Sequence, residues 1–489
     1  MRITMVTEGT YPQAFGGVSV WCDQIVRGMP DHHFNVHALT VTGTEPAAWT
    51  LPDNVTVTHV PLWTLADGRR GRLGRTVRHR ATEAYRMLLG ALLADDVDEF
   101  GTALWELCAL AQTYPVHQVL RGDEAVDRLL RGWRGTPALA GLGVAPSVLD
   151  ASMCLDIIEH WLRPLLRPAP VGDVSHAVTN GLAALVALGA KWIHGTPMLL
   201  TEHGVYLRER YLGFRETPYG WPVKALLLSF LRLLCATAYR SADLITPGNR
   251  YNHRWERRFG ADPARIETVY NGVDPADFPP AGREPAVPTI TWAGRIDPIK
   301  DLETLLRAFA LVRAELPAAR LRVFGGTPKG NEAYHDRCRA LAGDLGIAGA
   351  VGFEGRVERI GDAYAAGHVV VLSSISEGFP YTVIEAMTSG RATVSTDVGG
   401  VREAVADVGL VVPPRDPPAM AQACLRLLRD DLLRHRLGTA ARKRALELFT
   451  VDRAVDAFET IYTDLAVWGD HQATVEDQAT VELTELRSA

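Results

Sequence analysis

Two glutamates in one short segment, residues 376–390, have the types and spacing that could do chemistry. The segment reads SEGFPYTVIEAMTSG; it places Glu377 in a loop-like opening and Glu385 in an apolar run typical of a helix. Gly378 permits close backbone approach, and Pro380 suits the start of a helix. The unpaired N–H groups and positive dipole end of such a helix attract phosphate.

A carboxylate among apolar side chains is unfavourable unless it accepts hydrogen bonds. Vicinal hydroxyls of a ribose or hexose are suitable donors to Glu385, while Glu377 would lie at the tip of the preceding strand. The alternative is a helix-end acid and a buried glutamate paired with an arginine. The local sequence leaves both interpretations open.

Two cations follow an earlier strand in the same half of the chain. In WAGRIDPIKDLETLLRAF, Arg295 comes directly after a strand-like run and Lys300 five residues later, before a helical pattern. An arginine fork and a lysine ammonium at this position suit a diphosphate. Considered alone, the segment favours two surface cations.

Two adjacent glycines, Gly16 and Gly17, lie between the first strand-like run and the first helical pattern, in EGTYPQAFGGVSVW. Glycines there let the backbone contact a phosphate or a sugar. The full Gly-x-Gly-x-x-Gly spacing is absent, so a dinucleotide site is poorly supported and a tight turn is the alternative.

Two histidines in the first half follow strand-like runs: His176, in VSHAVTNG, and His203, in TEHG. Both should face the ligand-binding edge of a parallel sheet, and each could instead be a structural histidine. A charge run follows His203, with Arg208, Glu209 and Arg210 in sequence. It is either an ion-pair network that shapes a binding site or a solvated surface.

These residues would be positioned by strands and helices that alternate in both halves of the chain. Runs such as RITMVT, FNVHALTV and HVVVLSS alternate with helical patterns, which is typical of parallel sheets with crossover helices. We therefore predict two doubly wound, Rossmann-like α/β domains that face a cleft, with ligands at the carboxyl ends of the strands.

Composition along the chain sets the predicted boundaries. Prolines without periodicity mark a linker, and Leu, Ala and Arg at helical spacing mark a helical insertion. The predicted segments are a first domain (1–273) with the insertion at about 64–170, the linker (274–288), a second domain (289–448), an amphipathic helix (449–467) and a disordered tail (468–489).

The overall composition excludes several classes of function. A net charge of −6, from 51 basic and 57 acidic residues, argues against nucleic acid as the main partner. Six scattered cysteines without metal or disulfide spacing fit a reducing cytosol. The apolar stretch ALLLSFLRLLCATA is broken by Arg232 and is shorter than the roughly 20 residues of a membrane span. We expect a soluble, cytoplasmic protein.

Two charged segments in the insertion have competing interpretations. Asp96-Val97-Asp98 matches an Asp-x-Asp metal motif, but a solvated helix face is the favoured interpretation. Residues 68–80, GRRGRLGRTVRHR, contain six arginines, which could bind anionic lipid or an acidic partner, or form a mobile basic loop.

Together these motifs resemble the retaining GT-B glycosyltransferases of family 4. The resemblance is carried by Glu-x7-Glu, the Gly-Arg…Lys segment, NGVD at residues 271–274, Gly16-Gly17 and TEHGVYLRER. The opening EGTYP with GGVS and TEHG is similar to the PelF-like subgroup, whose type member acts in exopolysaccharide synthesis. The resemblance covers most of the second domain and both ends of the first.

The resemblance implies a nucleotide-sugar donor, with UDP the expected nucleotide, held mainly by the second domain. Arg295 and Lys300 would stabilise the leaving diphosphate, Glu377 would bind the donor sugar, and Glu385 the ribose. His176 matches better the histidine near the reaction centre. The implied donor site further includes Gly16, Gly17, Gly378, Phe379 and Pro380; the implied acceptor side has His203, Arg208 and Glu209.

The resemblance implies a metal-independent, retaining transfer of a hexose to a saccharide or lipid-linked acceptor, without a cofactor. No clear carboxylate pair for double displacement is evident in the sequence. The helix at 449–467 would cross back to the first domain, and the protein could contact the inner face of the membrane or a polysaccharide-synthase complex. A nucleotide-sugar epimerase and a non-catalytic nucleotide-binding subunit remain as alternatives.

Overall fold

The computed structural model describes residues 1–64, 72–136, 145–215 and 217–488, with side chains as far as residue 469. Parts of the predicted insertion and of the arginine-rich segment, residues 65–71 and 137–144, lie outside the described residues. The chain forms two compact units. The first holds residues 1–247, 253–268 and those from 457 onward, and the second holds residues 248–252 and 269–456.

The first unit is built on a six-stranded parallel sheet in the order β3-β2-β1-β4-β5-β6. Its strands are β1 (Arg2–Glu8), β2 (His33–Thr40), β3 (Val55–Pro61), β4 (Val174–Ala177), β5 (Met198–Glu202) and β6 (Leu244–Pro247). Since β4 and β5 pair and both are buried throughout, the residues at their carboxyl ends lie on one edge of the sheet.

Helices of the first unit cover this sheet and build the insertion. They are α1 (Gly17–Gly28), α2 (Arg75–Ala94), α3 (Val97–Ala111), α4 (Asp123–Arg134), α5 (Val148–Leu162), α6 (Leu182–His194), α7 (Tyr206–Arg215), α8 (Trp221–Ser241) and α9 (His253–Arg258). The insertion, α2 to α5, shares its apolar core with the sheet-covering helices; Phe100 of α3 contacts Phe230 of α8 with ring centroids 5.4 Å apart.

Helix α8 is long and apolar enough to cross a bilayer, judged by length and composition alone. Its 21 residues exceed the apolar run seen in the sequence, because Pro222 in its first turn starts the helix earlier. About two thirds of its most apolar window, 67%, is buried inside the protein. Arg232, which breaks the apolar run, forms an ion pair with Asp95. A core helix has these properties.

The second unit has its own six-stranded parallel sheet, in the order β12-β11-β10-β7-β8-β9. Its strands are β7 (Thr289–Ala293), β8 (Arg320–Phe324), β9 (Val351–Gly355), β10 (Val369–Leu372), β11 (Ala392–Thr396) and β12 (Leu410–Val412). Its helices are α10 (Leu302–Glu315), α11 (Glu332–Asp344), α12 (Ile360–Ala365), α13 (Tyr381–Thr388), α14 (Val401–Val405), α15 (Pro417–Arg429) and α16 (Asp431–Leu448). The prediction of two doubly wound parallel α/β domains is confirmed.

The strand order places two predicted segments side by side. β10 pairs with β7 on one side and β11 on the other. The loops after β7 and β10 therefore adjoin at the carboxyl edge of the sheet, where α/β proteins bind ligands.

The last helix, α17 (Val451–Ser488), begins in the second unit and continues into the first. It includes most of the segment that the sequence predicts to be a disordered tail, residues 468–489. Of the 22 residues of that segment, ten are Glu, Ala, Gln or Leu, which favour helix once one has begun.

Candidate functional site

The loop after β7 holds Lys300 between two capped turns. The Asp297 carboxylate accepts a hydrogen bond from the N–H of Ile299 at 3.0 Å and closes a short 3-10 turn that ends at Lys300. Asp301, in the left-handed region at φ 45°, caps α10 by accepting from the N–H of Thr304 at 3.2 Å. The position of Lys300 is thus fixed by its two aspartate neighbours.

Lys300 meets Glu377 across the two adjoining loops. Its Nζ donates to Oε1 of Glu377 at 2.6 Å, and the hydroxyl of Ser374 donates to the same oxygen at 2.5 Å. The Ser373 hydroxyl donates to the backbone carbonyl of Lys300 at 2.7 Å and ties the loops together. The two side chains are only 19% and 11% exposed, so this pair is more than a surface salt bridge.

This arrangement leaves specific groups available to a ligand. Both donors contact Oε1 of Glu377, and no described residue donates to its Oε2. Two of the three N–H groups of Lys300 have no acceptor within the described part of the chain. The site can therefore accept a hydroxyl at Glu377 and donate to an anion at Lys300.

Two adjacent glycines after β11, Gly399 and Gly400, hold the loop of Glu377. Their role was not predicted from the sequence. Gly399 lies at φ 55°, and a Cβ there would be 1.9 Å from the carbonyl oxygen of Glu377. The Gly400 N–H and the Asn249 side chain both donate to the carbonyl of Gly378, at 2.9 and 3.2 Å. The run STDVGG in the sequence is the signal that could have identified this close approach.

Phe379 and Pro380 fix the end of the same loop. Phe379 is buried between the rings of Tyr270 and Phe449, with centroids 5.5 and 5.3 Å away. Pro380 occupies the position just before Tyr381, where α13 begins. The loop from Glu377 to Pro380 therefore leads directly into the helix that the sequence predicts.

Glu385 lies one turn into α13 and is bonded by a tyrosine, not an arginine. The Tyr364 hydroxyl, from α12, donates to its Oε2. Burial raises the pKa of Glu385 to about 6, and the Tyr364 hydrogen bond opposes that shift. Its Oε1 receives no donor from the described residues, so Glu385 retains an acceptor for a ligand hydroxyl.

Arg295 extends from the end of β7 and is exposed. It forms no ion pair with any residue that the structure describes. Beside it, Gly325 lies at φ 131°, where a Cβ would be 1.8 Å from the carbonyl oxygen of Gly294. Arg356, after β9, lies over the neighbouring Gly326, whose Cβ would be 2.7 Å from the Arg356 Nε. Arg356 belongs to none of the motifs recognised in the sequence.

His176 lies inside the first unit with both ring nitrogens engaged. On β4 it is 0% exposed; Nδ1 is 2.7 Å from the Tyr462 hydroxyl, and Nε2 is 2.7 Å from the Thr201 hydroxyl. Trp21 and Phe458 pack against its ring. Burial lowers the pKa of His176 to about 3, so it is neutral near pH 7. This geometry favours the structural alternative; a catalytic role stays an untested prediction.

His203 follows β5 and stacks edge-on against Trp21, with centroids 4.8 Å apart. It is only partly buried and is the more accessible of the two histidines. The Glu209 carboxylate lies over the backbone of Gly204, where a Cβ would be 2.3 Å from its Oε1. Burial raises the pKa of Glu209, against the positive charges of its two arginine neighbours. Arg208 precedes Glu209 on α7.

Arg210, the third member of the charge run, is bound to the end of β1. Its guanidinium forms an ion pair with Glu8, and the Tyr206 hydroxyl donates to both Glu8 oxygens at 3.2 Å. Burial raises the pKa of Glu8, and Arg210 opposes that shift. The charge run is therefore partly an ion-pair network, and Glu8 is a member that the sequence analysis missed.

A buried carboxyl pair adjoins this network. Glu202, the last residue of β5, and Glu256 of α9 are both 0% exposed. The Tyr239 hydroxyl lies 2.7 Å from both Glu202 oxygens. Burial raises the pKa of both carboxyls, and the neighbouring Glu202 carboxylate raises that of Glu256 further, so Glu256 is the member of the pair that keeps its proton. The sequence could not pair residues so far apart.

Gly16 and Gly17 lie at the start of α1 and are exposed. Gly16 has extended backbone, at φ 173°, and a Cβ there would meet nothing within 4 Å. Among the described residues, none packs closely enough against Gly16 to require a glycine there. The Asp96-x-Asp98 segment behaves as a solvated helix start, because Asp96 caps α3 and Asp98 pairs with Arg240.

Comparison with known proteins places both halves of the chain in described families. Residues 1–264 match the family described as "Domain of unknown function (DUF3492)", and residues 287–430 match "Glycosyl transferases group 1". The D-inositol 3-phosphate glycosyltransferase of Streptomyces avermitilis is 34% identical over 345 residues, which are 66% of this chain and 71% of that protein. Its counterpart in Streptomyces scabiei is 33% identical, and the match spans 49% of this chain and 55% of that protein.

Solved structures share the fold over nearly the whole chain. Sucrose-phosphate synthase from Thermosynechococcus elongatus has a TM-score of 0.62 at 17% identity, covering 95% of this chain and 98% of that one. HepE from Anabaena, in complex with UDP, has a TM-score of 0.60 at 15% identity, covering 95% and 100%. The same protein was also solved with UDP-glucose. These matches confirm the GT-B fold.

Proposed function

The chain belongs to the group 1 glycosyltransferases, and on that premise we propose that it is a retaining, metal-independent hexosyltransferase. It takes a hexose from a nucleotide sugar, with UDP as the nucleotide, and passes it to a saccharide or lipid-linked acceptor. One observation carries the proposal: Lys300 and Glu377 lie 2.6 Å apart on adjoining loops at the carboxyl edge of a parallel sheet.

The proposed role of the two cations is to stabilise the leaving group. As the bond from the hexose anomeric carbon to the diphosphate oxygen breaks, negative charge grows on the diphosphate. Lys300 has free donors, and the exposed Arg295 has no carboxylate partner among the described residues, so both can take up that charge. This provision of positive charge is the reason that we propose transfer without a metal ion.

The two glutamates would hold the donor by its hydroxyls. Glu377 offers Oε2 to the hexose, and Glu385 offers Oε1 to the ribose. Because two donors already bind Oε1 of Glu377, its carboxylate is a weakened nucleophile. That supports attack by the acceptor on the face from which the diphosphate departs, and therefore retention.

The acceptor side and the cellular role follow from the resemblance to the PelF-like subgroup. His203, Arg208 and Glu209 would contact the acceptor, and the polymer would be a polysaccharide made on the cytoplasmic side of the membrane. Support for UDP comes from HepE, which was solved with UDP and with UDP-glucose.

Calorimetric titration with UDP, GDP and ADP, with and without Mg²⁺, tests this proposal. The parent protein should bind UDP selectively and without metal, and Lys300→Ala should weaken binding by about 10- to 100-fold, the value of a charged hydrogen bond. Arg307→Ala, an exposed arginine on α10, is the matched control and should bind like the parent. Absence of nucleotide binding would overturn the proposal, and nucleotide binding without any turnover would favour the non-catalytic nucleotide-binding subunit.

Product analysis with UDP-glucose tests the reaction class. Transfer to an added acceptor with the anomeric configuration kept is expected. An epimerised donor formed without acceptor would contradict transfer and favour the epimerase.

A further inference from the structure

A cavity of about 200 Å³ lies in the helical insertion, beside α2 and the start of α4. Four arginines and one glutamate are among the residues that line it: Arg78, Arg86, Arg121, Arg128 and Glu124. The cavity is smaller than the roughly 300 Å³ or more of a typical site for a drug-sized ligand, but far larger than one water requires. Its size and charge suit a small anion.

A tyrosine without a partner lines the same cavity. Tyr85 is 3% exposed, and its hydroxyl has no hydrogen-bond partner within the described residues. A buried hydroxyl left unpaired is unfavourable, and such groups usually have a ligand, ion or water. Burial raises the pKa of Tyr85, so the hydroxyl stays protonated and can donate.

The arginines keep donors for a ligand even where they already have partners. Arg121 donates to Glu159 at 2.6 Å, and Arg128 to Glu124 at 2.6 Å, each through Nη2. A guanidinium has five N–H donors, so most remain available. Arg78 has no ion pair among the residues described. The N-cap residue Gly122 of α4 offers no capping side chain, which leaves backbone N–H groups of the first turn for an anion, while Asp123 and Glu124 in that turn oppose one.

We propose that this cavity binds a phosphoryl group. It is an anion site separate from the proposed nucleotide-sugar site, whose acidic and basic residues all lie in the second unit. A phosphoryl group has several acceptor oxygens, which match arginine forks and a tyrosine donor. The phosphoryl group belongs either to a soluble phosphate ester or to the headgroup of an anionic phospholipid.

Two probes on the full chain test the site. Every protein in the experiment also carries Arg295→Ala and Lys300→Ala, which remove anion binding at the proposed nucleotide-sugar site. Inorganic phosphate is titrated calorimetrically, and vesicles of phosphatidylcholine with or without phosphatidic acid are tested by sedimentation. Arg78→Ala and Tyr85→Phe should each weaken binding on the order of tenfold, as loss of one charged hydrogen bond predicts. Arg75→Ala, exposed on the same helix but outside the cavity, should not.

Phosphate binding with this pattern identifies a soluble ligand, and the same pattern with acidic vesicles alone identifies a lipid headgroup. The proposal is overturned if neither probe binds, if Tyr85→Phe leaves binding unchanged, or if Arg75→Ala weakens it equally. Glu124→Gln guards against misfolded variants, because removal of the one lining carboxylate should strengthen binding instead. The thermal midpoint of Tyr85→Phe should not fall, since its hydroxyl has no partner to lose.

Discussion

The Lys300 ammonium lies 2.6 Å from Oε1 of Glu377, although 77 residues separate the two in the chain. Their loops follow β7 and β10, which pair directly, so the sheet itself sets this distance. In the proposed roles, in which Lys300 binds phosphate and Glu377 binds a sugar hydroxyl, the two side chains would orient each other. The pair should behave as one unit when either member is changed.

Replacement of Glu377 tests this coupling. Glu377→Gln should lower kcat/KM for UDP-glucose by about 10²- to 10³-fold, because it removes an acceptor to the hexose and frees Lys300. In a double-mutant cycle with Lys300→Ala, the coupling energy should reach about 1–3 kcal/mol. Glu315→Gln, an exposed glutamate on α10, is the control and should leave the rate unchanged. Simple additivity of the two changes would contradict a joint role.

The raised pKa of Glu385 predicts a pH dependence of donor binding. Above about pH 6 its carboxylate is ionised and, in its proposed role, would accept the ribose hydroxyls. Below that value it takes up a proton and loses acceptor strength. The Kd of UDP-glucose should therefore rise as pH falls through about 6, by up to about tenfold per unit. UDP-glucose is the better probe, because the terminal phosphate of UDP itself titrates near pH 6.

Glu385→Gln should bind UDP-glucose more weakly at pH 7.5 and show a flat profile between pH 5 and 7.5. Calorimetry at several pH values measures both effects. If Glu385→Gln keeps the slope of the parent protein, another group is responsible for it.

The sequence predicts the site to the extent that it places each site residue relative to the strand that precedes it. Local sequence patterns identify Arg295 and Lys300 after β7 and Glu377 before α13. These patterns are the hydrophobic periodicity and the Gly and Pro residues that mark turns. The contacts that join them are not local. The Tyr364 partner of Glu385 and the Gly399 that meets Glu377 depend on which strands become neighbours, which composition and spacing do not determine. Glu202 and Glu256 were missed for the same reason.

His176 shows that the sequence can also place a single residue wrongly relative to its strand. Its position after a strand-like run suggested an edge residue, but the histidine lies within β4 itself. Sequence periodicity fixes strand boundaries poorly, and a shift of two residues moves a side chain from the loop into the core.

The structural role of His176 can be separated from catalysis. His176→Ala should lower stability by about 2–4 kcal/mol, since it removes two buried hydrogen bonds and leaves a cavity. Tyr462→Phe should lower stability less, because it deletes only the partner of Nδ1. Its effect should not add to that of His176→Ala in the double variant. For the protein that remains folded, kcat should stay within about threefold of the parent value. A large loss of kcat at an unchanged melting temperature would instead restore the catalytic role.

The buried pair of Glu202 and Glu256 predicts how stability changes with pH. The pKa of Glu256 is raised in the folded protein, so between its unfolded value of about 4.3 and its folded value the native state binds more protons. Stability should then fall as pH rises above about 5, by at most about 1.4 kcal/mol per unit for one proton.

Glu256→Gln removes the contribution of Glu256 to that dependence and places an uncharged amide beside Glu202. Its melting temperature should exceed that of the parent by a margin that widens from pH 5 to pH 7.5, measured by thermal scanning. Glu267→Gln, an exposed glutamate in the same unit, should follow the parent at every pH. A constant difference between Glu256→Gln and the parent would mean that Glu256 holds no extra proton in the folded state.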